Sequence, residues 1–157
     1  MRLELTRAGD YAVRAMLRLA RTPDAVVAAE RIASETAIPT RFARAILADL
    51  QQAGLVTSVT GRSGGYRLAS APDGTSLLDV IEAIEGDSRR KACVLRDAPC
   101  GRDGFCDVHA VFFEAQDVLL ERLAATSLAE LAADAGRGAQ GPFGTGLSGP
   151  AAQPNEH

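Results

Sequence analysis

The apolar residues of this 157-residue chain change period at Gly54. Before it they recur every three or four positions, the spacing of a helix face; after it they alternate, the spacing of a strand. Tyr11, Ala12, Ala15, Met16, Leu19 and Ala20 form one stripe and predict a helix over about 6–22, ended by Pro23-Asp24. A short second helix is expected over about 28–36, with Ile32 and Ala33 inward. Pro39 then suits the start of a third helix, where a missing N–H is harmless. That helix runs to about Ala53, with Phe42, Ile46, Leu47 and Leu50 as its core stripe and Gly54 as its stop. Leu55–Val59 and Tyr66–Leu68 read as strands. Gly61-Arg62-Ser63-Gly64-Gly65 joins them as a hairpin connection, its glycines supplying positive φ. Two short helices joined by a brief turn and followed by a hairpin give a winged helix-turn-helix, whose second motif helix enters the major groove of DNA.

Aromatic residues are only 4% of the chain and Trp is absent, so the apolar content is mostly Ala, Leu and Val, which favours helices packed on helices. A fourth helix is expected from Ser76, with Ser76 and Asp79 at capping-box spacing, to about Glu85-Gly86. Residues 87–106 show no period, and a loop of that length in a compact domain is more often functional than not. A long helix follows over about 107–125, roughly 28 Å at 1.5 Å per residue. Val108, Phe112, Ala115, Leu119 and Leu123 make one apolar face; Val111, Val118 and Leu120 add to a second. One face suits the chain's own core and the other a second subunit. Ser127 and Glu130 form a further capping box for a last helix over about 127–134. Nine of the twenty-three residues from 135 to 157 are Gly or Pro, and this tail is expected to be disordered. The predicted fold is therefore mainly α with a small β-hairpin wing. It divides into a winged helix-turn-helix DNA-binding domain (1–75), a region of helix, Cys-rich loop and long dimerisation helix (76–134), and a tail (135–157).

The net charge of −3 conceals an asymmetry. Residues 1–70 hold ten Arg and six acidic residues, whereas 71–157 hold seven basic and fourteen acidic ones. A basic first half in an acidic protein suggests a polyanion-facing surface at one end. On the third helix, Thr40, Arg41, Arg44, Ala45, Ala48 and Gln51 point away from the core stripe. The first three lie in the turns where a recognition helix meets base edges, and Arg can grip guanine O6 and N7 with two hydrogen bonds. Arg62 stands at the wing tip, while Arg7 and Arg14 on the first helix suit phosphate contacts. Chance segregation of solvated charge is the bland alternative for any one of these residues. A phosphate-loop reading of the glycine-rich hairpin is weak, because it matches neither common pattern and a strand follows where a helix would be needed. No run approaches the ~18 apolar residues a membrane span needs. The N-terminus has no apolar segment of signal-peptide type, which predicts a cytoplasmic chain. No Ser–His–Asp or paired-carboxylate arrangement points to a hydrolase.

All three Cys fall within fourteen residues, as Cys93, Cys100 and Cys106, spaced C-x6-C-x5-C with His109 three residues further on. In a cytoplasmic chain three Cys argue for metal or redox chemistry over disulfides. Thiolates select iron–sulfur clusters, zinc or Cu(I), and the spacing is wider than the tight pairs of structural zinc sites, which favours a cluster. Lys91, Arg96 and Arg102 favour thiolate over thiol. Three Cys leave a fourth ligand open, and His109 is the nearest candidate. The same trio also suits free or redox-sensing thiols, and His109 also suits a surface or interface position.

Met1-Arg2-Leu3, Asp10-Tyr11-Ala12-Val13-Arg14-Ala15-Met16, Gly54-Leu55-Val56, the wing Gly61–Tyr66 and the Cys loop together resemble the Rrf-two family of bacterial transcription regulators, over about residues 1–134. The resemblance implies a winged-helix homodimer whose long helix pairs with its mate, bound to a double-stranded DNA operator of imperfect palindromic sequence. It also implies an iron–sulfur cluster in each subunit that controls operator binding. The IscR-like branch implies a [2Fe–2S] cluster on Cys93, Cys100, Cys106 and His109. The NsrR-like branch implies a [4Fe–4S] cluster whose fourth ligand is Asp10 of the other subunit. The C-x6-C gap is one residue longer than the C-x5-C associated with the first branch. The expected function is a cluster-sensing DNA-binding regulator, acting as a repressor and not an enzyme. Its rivals are a cluster-free thiol-switch regulator and a small electron-transfer protein.

Overall fold

The computed structural model describes residues 4–88 and 107–134, without the side chains of Asp107 and His109. Helix α1 (Arg7–Ala20) starts where the Thr6 hydroxyl accepts a hydrogen bond from the Gly9 amide at 3.1 Å. It buries Ala12, Ala15, Met16, Leu19 and Ala20 of the predicted stripe, and Gly9 besides, with Tyr11 half-buried at its edge. Helix α2 (Ala29–Thr36) ends at Ala37, which takes the left-handed conformation (φ 56°) and lets the Ile38 amide reach back to the Ala33 carbonyl at 3.0 Å. Ile38 is buried, so this tight turn is anchored in the core. Helix α3 (Thr40–Gln52) follows directly after Pro39. Its core face is Ala43, Ile46, Leu47 and Leu50. Phe42, expected inside, is half-buried, because the face centres on Ala43 and leaves Phe42 at its rim, where its ring centroid lies 5.9 Å from that of Tyr11.

Gly54 (φ 77°) turns the chain into strand β1 (Val56–Val59), which pairs antiparallel with β2 (Gly65–Leu68) in the register Val56 to Leu68 and Val59 to Gly65. Val56 and Leu68 are the buried pair that fixes the hairpin to the core. The wing glycines differ from expectation in their reason. Of Gly61, Gly64 and Gly65, only Gly61 has positive φ. A Cβ on Gly64 would run into the Val59 carbonyl, and one on Gly65 into the backbone of Val27 and Ala28. The second approach matters because Val27 bridges to Tyr66: Val27 donates to the Tyr66 carbonyl (2.9 Å) and Tyr66 to the Val27 carbonyl (2.8 Å). The lead-in to α2 is thereby hydrogen-bonded to the wing.

A 3₁₀ turn (Pro72–Gly74) precedes α4 (Leu77–Glu85), whose N-terminus has the predicted capping box: the Asp79 amide donates to Ser76 Oγ (3.1 Å) and the Ser76 amide to Asp79 Oδ2 (2.8 Å). Val80 enters the same core as α1, α2 and α3. At the other end of α4, Glu85 Oε1 accepts from the Thr6 amide at 2.7 Å and fills the space a Cβ on Gly9 would need. Helix α5 (Asp107–Ala125) has the predicted bounds, and α6 (Leu128–Asp134) the predicted Ser127–Glu130 box. An antiparallel bridge ties the starts of α4 and α6: Leu77 donates to Thr126 (2.8 Å) and Leu128 to Thr75 (3.0 Å). Leu128 is fully buried in the common core.

The two faces of α5 are partitioned differently from the predicted ones. Leu120 is buried, with Phe113, Gln116 and Leu123 half-buried beside it, and Val108, Val111, Phe112, Val118 and Leu119 are exposed. The outward positions follow a clean three-and-four spacing that joins the two predicted groups, whereas Leu120 and Leu123 belong inward. The cysteine segment and the tail lie outside the described residues. Among the described residues, no helix is long and apolar enough to cross a membrane.

Gly65→Ala should destabilise the fold by about 1–3 kcal/mol, because the added methyl must push β2 off the Val27 backbone. Chemical denaturation checks this, and an unchanged midpoint would refute the close approach.

Candidate nucleic-acid interface

Thr40, Arg41 and Arg44 stand exposed in the first turns of α3, and Ala45, Ala48 and Gln51 continue the same solvent-facing surface. The placement follows from local sequence. Ala43, Ile46, Leu47 and Leu50 take the inward positions, so the intervening residues face outward. The Arg41 guanidinium lies 4.6 Å from the centroid of the Phe42 ring, a cation–π contact that holds it against the helix. The Arg44 guanidinium is bonded through Nη2 to Glu30 Oε1 on α2, with both side chains largely exposed. That pairing lowers the Glu30 carboxyl from its usual range, first by the hydrogen bond from Arg44 and then by a backbone bond and the Arg44 charge. It raises Arg44 in turn, and the nearby Tyr66 phenol of β2 adds weakly. Arg62 is exposed on the loop between β1 and β2, and Arg7 is exposed at the start of α1.

Not every predicted phosphate contact is free for that role. Arg14 is engaged by Asp10, one helical turn earlier, at 2.7 Å. Asp10 thus appears as a first-turn carboxylate with a partner in its own helix. Arg18, which the sequence did not single out, has a side chain only 11% exposed and joins Glu35 of α2, with a second bond to Thr22 Oγ1 at 3.0 Å. Arg31 reaches the same Glu35 at 2.7 Å. Glu35 consequently bridges α1 and the outer side of α2.

Sequence reasoning missed Glu30 and Glu35. The Arg31–Glu35 pair is readable as a four-residue helical spacing. The Arg44–Glu30 pair, fourteen residues apart across the turn, has no sequence signal. Of the predicted metal ligands, Cys93, Cys100 and Cys106 lie outside the described residues, and His109 is placed in the first turn of α5 by its backbone alone. Among the described residues no group of three or more His, Cys, Asp or Glu is arranged to hold a metal ion.

The hydrogen bond from Arg18, followed by that from Arg31, pushes the Glu35 carboxyl from its ordinary 4.5 down to about 2. A carboxyl depressed in the fold stabilises it above the unfolded value and loses that contribution as pH falls toward the folded one. The stabilisation from this pair is therefore complete above about pH 4.5 and fades toward pH 2. Wild type should melt higher than Glu35→Gln at neutral pH, and the gap should narrow progressively below pH 4.5. A gap independent of pH down to 2.5 would contradict this account of the tie.

Comparison with known proteins follows the same lines. Residues 5–134 match the family model Rrf2, described as an iron-dependent transcriptional regulator. The chain is 35% identical over 119 residues to an rrf2-like helix-turn-helix transcriptional regulator of Rhodobacter capsulatus, covering 70% of this chain and 79% of that one. Its structure is similar to that of T. potens IscR, with TM-score 0.70 and 29% identity over 88% of this chain and 94% of the other. It is similar also to CymR, the global cysteine regulator of B. subtilis, with TM-score 0.73 and 26% identity over 85% and 98% of the two chains.

Proposed function

The chain belongs to the Rrf2 family of transcriptional regulators, and from that premise we propose that it is a homodimer whose operator binding is controlled by an iron–sulfur cluster on its cysteine segment. It is a DNA-binding regulator and not an enzyme. The observation that carries the reading is the outer face of α3, which presents Thr40, Arg41 and Arg44 to solvent in a helix pair whose lead-in is hydrogen-bonded to the wing through Val27 and Tyr66. In this reading Arg44 reads a base edge, Thr40 and Arg41 contact the neighbouring edge or backbone, and Arg62 and Arg7 contact phosphate. The exposed stripe of α5, from Val108 through Val111, Phe112 and Val118 to Leu119, pairs with its copy in a second subunit. A two-fold dimer presents two equal readers, so its operator is an imperfect palindrome.

The donor set fits a cluster. Cys93, Cys100 and Cys106 supply soft thiolates, and His109 supplies the fourth ligand as an imidazole, a combination suited to [2Fe–2S]. Asp10, the alternative fourth ligand suited to [4Fe–4S], is already held by Arg14, which favours His109. When bound, such a cluster supplies a centre that changes with oxidation or nitrosylation. The chain's own residues carry that change to the reading head. Ser88, just before the cysteine segment, donates its amide to Glu82 of α4 (3.0 Å) and accepts from Gln116 of α5 (3.1 Å). Helix α4 in turn holds the start of α1 through Glu85 and Thr6. A switch of this kind works only through different DNA affinities in its two states.

Anaerobic purification should give a coloured protein with about two iron and two sulfide per subunit, abolished by Cys93→Ala, Cys100→Ala or Cys106→Ala. A colourless protein after anaerobic reconstitution, with DNA binding sensitive to diamide, would replace the cluster with a thiol switch. Arg44→Ala should cost about 1–3 kcal/mol on the operator and relax one base position. Arg62→Ala should weaken all sequences alike and reduce the salt slope by about 1. Equal losses on specific and random DNA for Arg44→Ala would refute its reading role.

A further inference from the structure

We infer that Glu30 is a specificity-determining positioning residue: it holds the Arg44 guanidinium for base recognition and keeps it from serving as a phosphate clamp. The inference rests on the reading of Arg44 as a base-reading side chain. Three observations support it. First, Glu30 approaches Arg44 from a different helix, across the turn of the motif, so the pair is a tertiary contact and not a helical-spacing coincidence. Second, both partners are exposed, at 66% for Arg44 and 57% for Glu30, and an ion pair in that setting contributes little to folding. Its effect is geometric: it selects among the many rotamers of a long side chain. Third, the contact uses one end of the guanidinium, Nη2 to Glu30 Oε1. Guanidinium carries five N–H donors in a fixed fork, so the remaining donors stay available for the two-bond grip on guanine O6 and N7.

The charge of Glu30 acts in the same direction as its geometry. Nonspecific binding is driven by cations neutralising phosphates, with displaced counterions setting the salt dependence. A carboxylate bonded to Arg44 cancels much of that residue's attraction for any backbone, and adds its own repulsion. A base edge, by contrast, offers directional acceptors that an oriented guanidinium can meet without losing Glu30. Wild-type Arg44 is thus weak on random DNA and strong on the correct base. Glu35 serves a different purpose with similar chemistry, since it binds the largely buried Arg18 and so fastens α1 to α2.

The test uses the full chain, purified anaerobically, and a duplex that the wild-type protein enriches from a randomised pool. Affinity for that duplex and for its scrambled permutation is measured across salt concentration for wild type, Glu30→Gln, Glu30→Asp, Arg44→Ala and Glu30→Gln/Arg44→Ala, with a melting curve for each. Glu30→Gln should bind the scrambled duplex several-fold more tightly, with a salt slope steeper by about 1, while the ratio of selected to scrambled affinity falls about tenfold. Glu30→Asp, which keeps the carboxylate, should recover part of the ratio. In the Arg44→Ala background, Glu30→Gln should leave the ratio unchanged. If Arg44→Ala lowers the ratio and Glu30→Gln does not, Glu30 has no positioning role and the inference falls alone. If Arg44→Ala leaves the ratio intact, or if the pool yields no enriched sequence, the base-reading assignment falls and the inference with it. A Glu30→Gln effect that persists in full without Arg44 would also overturn the inference, since it would then act through general charge.

Discussion

Helix α1 is the packing post of the molecule, and its small buried residues set how closely everything else can approach. Gly9, Ala12, Ala15 and Ala20 line most of its inner face, with Met16 and Leu19 as the bulky exceptions. Small side chains bring neighbouring backbones close, and Val27, Ile32, Leu47, Leu50, Val80 and Leu128 pack into one continuous core around them. The Glu85 carboxylate meets the Thr6 amide only because position 9 has no Cβ. One helix therefore couples α2 and α3 to the helix that precedes the cysteine segment.

Around this core the arginines divide by burial. Arg18 is nearly covered and its charge is answered by Glu35, so it belongs to the scaffold. Arg44 is exposed, and its charge is answered by a partner as exposed as itself. A covered ion pair is costly to separate, whereas an exposed one adds little to the stability of the fold. Formal charge in the first seventy residues thus overstates how much of it is available to a polyanion. Arg18 is committed within the fold and Arg14 is paired with Asp10 at the surface, while Arg7, Arg41 and Arg62 are exposed.

Much of the architecture was legible because periodicity and capping are local. The Ser76–Asp79 and Ser127–Glu130 boxes depend on residues three apart, and both form as read. The inner face of α5 was harder, because its apolar residues circle much of the helix and only tertiary packing decides that Leu120 turns in and Val111 out. The wing glycines were correctly placed but for an incomplete reason. Pattern suggests positive φ, whereas the close approach of Val27 to β2 is a nonlocal contact that no spacing announces. Similarly, the outward face of α3 was readable, but Glu30 was not, since it reaches Arg44 across a turn. The cysteine spacing speaks for a ligand set without giving its geometry.

The bridge between the starts of α4 and α6 has a topological consequence. Leu77 and Leu128 are hydrogen-bonded to Thr126 and Thr75, so the stretch that begins with α4 and ends with α5 starts and finishes at adjoining points. Both feet of that stretch are fixed side by side, and α4 itself packs Val80 into the core. The cost of closing such a loop rises only slowly with its length. Residues can therefore be added or removed between α4 and α5 without altering the spacing of the feet or the body they stand on. A chain built this way holds the outer face of α3 on a body whose shape does not depend on how many residues separate α4 from α5.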